Sequence, residues 1–120
     1  MGRVLLLEDE PSIAGIIRFK LGREGHEVRW ELSAAAAETA AGAFGPDLVV
    51  LDAAVEGDAL AVLDRLRGRC PVLVLTDLGD AETPALALGR GAATTVGKPF
   101  KPTVLARTVA QLLRERAGGS

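Results

Sequence analysis

The chain has 120 residues and a mass of 12.5 kDa, enough for one domain with its own core but not for two. Hydrophobic residues make up 48% and charged residues 25%, which excludes a disordered chain. A net charge of −2 and a pI of 5.4 argue against a basic footprint, so this domain is not expected to bind nucleic acid directly.

From the first residues, Val4 to Leu7 form an apolar run without alternation, the pattern of a strand covered on both faces. Four apolar residues are too few for a signal peptide or a membrane span, so a cytoplasmic protein is expected. The run ends in Glu8 and Asp9. From Pro11, the apolar residues Ile13, Ile16, Ile17 and Leu21 recur at helical spacing, and Gly22 and Gly25 supply a stop. His26 falls in the turn that follows and reads as a surface loop residue. Glu27 to Glu31 make a weaker strand carrying Trp30, and Ser33 suits the N-cap of an alanine-rich helix through Ala43.

The second half repeats the alternation. Leu48 to Leu51 read as a buried strand ending in Asp52, and Asp58 can cap a third helix carrying Leu60, Leu63 and Leu66 before Gly68. Cys70, the single cysteine, precedes the strand Val72 to Leu75 and reads as a small core residue. That strand ends in Thr76. Asp80 can cap a fourth helix through Arg90, weakened by Pro84 and Gly89. Thr94 to Gly97 form a last weak strand before Lys98 and Pro99, and a fifth helix starts near Pro102 with Leu105, Val109, Leu112 and Leu113 on one side. Residues 1–116 then make the domain and 117–120 a tail or the start of a linker. Phe19, Trp30, Phe44 and Phe100 are the only aromatics, with no tyrosine, so the core must be filled by Ala, Leu and Val.

Five strands alternating with five helices imply an α/β fold with a doubly wound five-stranded parallel sheet and helices on both faces. Such sheets place their site outside the carboxyl ends of the strands. Glu8, Asp9, Asp52, Thr76 and Lys98 all fall there. Three carboxylates on one rim repel one another unless a proton or cation compensates, and oxygen ligands of this kind suit Mg2+. Cysteine and histidine at zinc-ligand spacing are absent.

The segments Val-Leu-Leu-Leu-Glu8-Asp9-Glu10-Pro11, Asp47-Leu-Val-Val-Leu-Asp52, Pro71-Val-Leu-Val-Leu-Thr76, Gly91-Ala92 and Lys98-Pro99-Phe100 resemble the receiver domain of bacterial two-component response regulators. The order and the separations agree together: 43 positions from Asp9 to Asp52 and 22 from Thr76 to Lys98. The resemblance spans nearly the whole chain. It implies the flavodoxin-like strand order 2-1-3-4-5 and a signalling domain whose only chemistry is its own phosphotransfer and slow dephosphorylation. By the same resemblance, Asp52 accepts a phosphoryl group from a sensor histidine kinase or phosphotransfer protein. Mg2+ would be held by Asp9 and Asp52, the backbone carbonyl of Ala54, and Glu8 acting through water. Lys98 and the Thr76 hydroxyl would meet phosphoryl oxygens, the Lys98–Pro99 bond would be cis, and an effector domain or downstream protein would read the change.

Several positions depart from the family pattern. Asp52 to Thr76 is a short interval, Glu56 stands where proline is usual, and Asp77 replaces a small residue after Thr76. Thr95 occupies the position of a switching aromatic, so Thr76 and Thr95 are the candidate switch pair and the output falls to the loop from Asp77 to Asp80 and the fourth helix. Ala93 and Thr94 lack the acids that support a phosphorylation-dependent homodimer, which is allowed but unsupported by charge. Trp30, on the second strand, is expected to lie away from the site. Two readings stay open: a phosphoryl-accepting switch, and a phosphorylation-independent interaction module on the same fold. An aspartate-based phosphatase or nucleotide-binding enzyme is disfavoured, because Asp52-Ala53-Ala54 has no second acid and the first strand leads into no glycine-rich loop.

Overall fold

In the computed structural model, which describes residues 2–118, five parallel strands lie in the order β2-β1-β3-β4-β5. The strands are β1 (Arg3–Leu7), β2 (Glu27–Glu31), β3 (Leu48–Asp52), β4 (Val72–Thr76) and β5 (Thr94–Gly97). The helices are α1 (Pro11–Arg23), α2 (Ala37–Phe44), α3 (Ala59–Leu66), α4 (Thr83–Gly89) and α5 (Pro102–Gly118). The sequence-derived order of elements and strand topology are both observed.

Period-two alternation divides the central strands between two apolar layers. Val4, Leu6, Leu48, Val50, Leu73 and Leu75 face α1 and α5, where they meet Ile17, Leu21, Leu105 and Val109. Leu5, Leu7, Val49, Leu51, Val72 and Val74 face the other way, onto Ala40, Ala41, Val62 and Leu63. A fully buried leucine contributes about 2 kcal/mol. An exposed ion pair such as Arg3–Glu27 contributes at most about 1 kcal/mol, so burial rather than pairing holds the sheet. The core is the expected mixture of Ala, Leu and Val, and Cys70 belongs to it, with burial pushing its thiol up from the usual range.

Four local expectations change. His26 is not a surface residue: it is 9% exposed, and its Nδ1 accepts a hydrogen bond from the Gly2 amide at 3.1 Å, a role that requires neutral imidazole. Ser33 makes no side-chain cap. It precedes a 3-10 turn over Ala34–Ala36 and a shorter α2, because its carbonyl closes that turn while the Ala34 amide is taken by the Glu56 carbonyl at 2.8 Å. Asp80 accepts from the amides of Glu82 and Thr83, as a cap would, but Pro84 confines the helix start and α4 covers only Thr83–Gly89. Finally, α5 continues through Ala117 and Gly118, where a tail or linker was expected; Gly119 and Ser120 lie outside the described residues. Asp58 does cap α3, its carboxylate accepting from the Ala61 amide at 3.0 Å.

Candidate functional site

The register of the two central strands builds the site. Leu7 pairs with Leu51, so Glu8 and Asp52 are the next residues outward on adjacent strands. Both follow the alternation of Leu6 and Val50, so both side chains lie on the α1 and α5 side. On the other flank, Thr76 pairs with Gly97, and the Lys98 amide donates to the Thr76 carbonyl at 2.8 Å, which fixes where the lysine leaves β5. The Lys98–Pro99 peptide is cis, as expected.

Glu8 is fully buried, Asp52 is 1% exposed and Thr76 3%. Asp52 Oδ1 accepts from the Ala54 amide at 2.7 Å, and Oδ2 pairs with the Lys98 ammonium. Lys98 Nζ also lies 3.5 Å from Glu8 Oε1. Glu8 Oε2 accepts from the Glu10 amide at 3.2 Å, but Oε1 is buried without a hydrogen bond. One ammonium thus serves two buried carboxylates.

The electrostatics follow from that shortage. Burial, then the neighbouring Asp52 carboxylate, push the Glu8 carboxyl up to about 7. Burial alone would pull the Lys98 ammonium down, but the hydrogen bond and charge of Asp52, with Glu8 and then Asp77, outweigh it and hold Lys98 above its ordinary value. Asp77 is exposed, and its charge adds to those that favour the Lys98 ammonium.

Asp9 stands apart from this pair. Its Oδ2 accepts from the Glu56 amide at 3.1 Å, a bond that proline, usual in the family at this position, cannot make. Glu56 is held in turn by the Ala34 amide and by the turn at Gly57, where φ is +102° and an added Cβ would come within 2.8 Å of the Ala34 Cβ. Among the described residues, no three acidic, histidine or cysteine side chains stand close enough to cage a metal. The donors nevertheless fit a hard divalent cation. They are all oxygens, they carry excess negative charge, and Glu8 Oε1 accepts no hydrogen bond. Asp9 is held toward the Glu56 amide, which competes with a cation for its carboxylate.

Sequence reasoning missed Trp30. Its indole Nε1 donates to the Glu8 carbonyl at 2.6 Å, so it touches the acidic rim rather than lying away from it. The signal was the pairing order: β2 next to β1 puts Trp30 opposite Leu6, two residues from Glu8. Thr95, in register with Val74, is half-buried on β5.

A doubly wound α/β domain with a buried aspartate, a threonine and a lysine at the carboxyl ends of β3, β4 and β5 defines the class as a flavodoxin-like fold with a polar, acidic rim. Residues 4–110 match the family model of the response regulator receiver domain, and the chain belongs to that family. It is 36% identical over 121 residues to the transcriptional regulatory protein KdpE of Mycobacterium tuberculosis, covering 98% of this chain and 54% of the relative. The crystal structure of NtrX from Brucella abortus superimposes with a TM-score of 0.90 at 32% identity, over 97% of this chain and 27% of that one. The BeF3-activated N-terminal receiver domain of Klebsiella pneumoniae RstA gives a TM-score of 0.86 at 30% identity, over 93% of this chain and 98% of that one. The chain spans from 23% to 54% of the length of the curated relatives it matches. Among the described residues, no helix is long and apolar enough to cross a membrane.

Proposed function

We propose that Asp52 is the phosphoacceptor of a two-component switch, receiving its phosphoryl group from a histidine of a sensor kinase or phosphotransfer protein. The observation that carries this reading is a buried aspartate held on one oxygen by the Ala54 amide and on the other by Lys98, beside a glutamate oxygen that accepts no hydrogen bond. In the transfer, a carboxylate oxygen of Asp52 attacks phosphorus, the phosphorus–nitrogen bond breaks, and the donor imidazole keeps the electron pair. Glu8, Asp9, Asp52 and the Ala54 carbonyl would hold Mg2+, which when bound neutralises charge on the transferring group.

The remaining work falls to the chain's own side chains. Ala54 fixes Oδ1, so Oδ2 is the oxygen free to react once Lys98 turns its ammonium to a phosphoryl oxygen. The Thr76 hydroxyl donates to another. Thr95 is small, so the change passes through the loop from Asp77 to Asp80 into α4, a seven-residue helix whose Leu86 and Leu88 are half-exposed. A groove of about 360 Å3 between α1 and the β5–α5 turn, lined by Ile13, Ile16, Leu78, Pro99 and Phe100, reaches Lys98 itself. Its reach to Lys98, the partner of Asp52, supports it as the seat of the phosphodonor protein. The relatives are named as transcriptional regulators, so the effector controlled here would be a DNA-binding domain, with the receiver itself making no contact with DNA.

Beryllofluoride with Mg2+, a phosphoryl mimic, tests the site by amide NMR. The expected result is a set of shifts at Ala54, Thr76 and Lys98 that vanishes in Asp52→Asn. No shifts in the wild type would favour the phosphorylation-independent interaction module.

A further inference from the structure

We infer that Trp30 is a positioning residue for the acidic rim: its indole N–H sets the Glu8–Asp9 peptide for cation binding, and the same contact makes it a reporter of that binding. This rests on the rim taking a divalent cation.

The ladder between β1 and β2 ends where the Glu8 amide donates to the Glu31 carbonyl at 3.1 Å. The Glu8 carbonyl lies beyond it and would otherwise lack a backbone partner, which is costly away from water. Trp30 fills that vacancy at 2.6 Å. The carbonyl belongs to the peptide unit joining Glu8 to Asp9, and because that unit is planar, fixing its oxygen fixes the direction in which Asp9 leaves the strand. The two acids are therefore set from a neighbouring strand as well as from their own loop.

The ring that delivers this bond is itself immobilised. Trp30 pairs with Leu6 in register, packs against the apolar layer under α1 and α5, and carries the Arg18 guanidinium 5.4 Å from its ring centroid. Indole has a single N–H and no acceptor, so its hydrogen bond can be satisfied only in one sense. Phenylalanine would keep the packing and lose the bond. Trp30 is the sole tryptophan in the chain, so any indole emission change on cation binding reports the surroundings of this one ring.

The test is an Mg2+ titration followed by the amide shifts of Glu10 and Ala54 in the wild type, Trp30→Phe and Val28→Ala. Val28 packs against the same layer on the same strand but makes no bond to the rim, so its truncation reports structural loss alone. Trp30→Phe is expected to weaken Mg2+ about tenfold, the scale of losing a partner that orients a ligand. Val28→Ala should bind as the wild type does. Wild-type indole emission should change with the same half-saturation as the amides, and not at all in Asp52→Asn. Equal affinity of Trp30→Phe and wild type, or equal losses in Trp30→Phe and Val28→Ala, would overturn the inference. Absence of any Mg2+ shift in the wild type would instead sink the cation reading, and this one with it. If Trp30→Phe does not fold, Arg18→Gln replaces it: freeing the ring should weaken Mg2+ about threefold, and no change would overturn the inference.

Discussion

Replacing Glu8 with glutamine should stabilise the metal-free protein at alkaline pH. The folded-state carboxyl titrates at about 7 against 4.5 in the unfolded chain, because burial and Asp52 both oppose its charge. Between these values the folded state holds a proton that the unfolded state has released, so stability falls as pH rises through this window and reaches its full cost above about 7. At about 1.4 kcal/mol per pH unit of difference, the cost is on the order of 3.5 kcal/mol. That is on the order of a 10 °C change in Tm for a domain this size. Glutamine carries no charge to bury. Thermal unfolding in chelator across this range should therefore show a wild type that weakens toward high pH, a Glu8→Gln curve that lacks this slope, and a gap that closes toward pH 4.5. Adding Mg2+ should raise the wild type more than the variant. A Glu8→Gln protein less stable than wild type in chelator above pH 7, or parallel pH curves, would refute the claim that one lysine leaves this rim short of positive charge.

Three other outcomes follow from single contacts. His26 has the opposite sign: burial lowers its pKa from 6.5, so the unfolded chain takes up a proton first, and the stability advantage of wild type over His26→Asn should shrink as pH falls below that value in denaturant titrations. Glu56→Pro removes the amide that holds Asp9, and losing a hydrogen bond of about 1 kcal/mol should tighten Mg2+ about fivefold in the same amide titration; weaker binding would mean that the bond orders the site instead. Asp58→Ala deletes the cap of α3 and should cost about 1 kcal/mol in chemical denaturation, with Mg2+ affinity unchanged.

The strands were legible because three of them are buried on both faces and therefore read as unbroken apolar runs, each stopped by the residue that the site uses. Glu8, Asp52 and Thr76 could be grouped from sequence for that reason, while Lys98 follows the weaker, half-buried β5. The periphery was less legible. A helix cap depends on where the preceding chain runs, and Ser33 lost that role once Ala34 was bonded across to Glu56. His26 follows a glycine in a turn and looks exposed, yet the turn folds it onto Gly2 at the start of the sheet. Asp9 and Trp30 are long-range cases: one is captured by an amide 47 positions away, the other reaches a carbonyl 22 positions away. Neither contact leaves a periodic trace. The usable signals were the pairing order for Trp30 and, for Asp9, Glu56 in place of proline, since that exchange restores an N–H beside the acids.

The central claim, that Asp52 accepts a phosphoryl group, is met most directly by intact-mass measurement after incubation with Mg2+ and acetyl phosphate. The wild type should gain a single phosphoryl group, lost on treatment with hydroxylamine as an acyl phosphate must be, and Asp52→Asn should gain none. A wild-type chain that stays unlabelled, or a label that survives Asp52→Asn, would contradict the account.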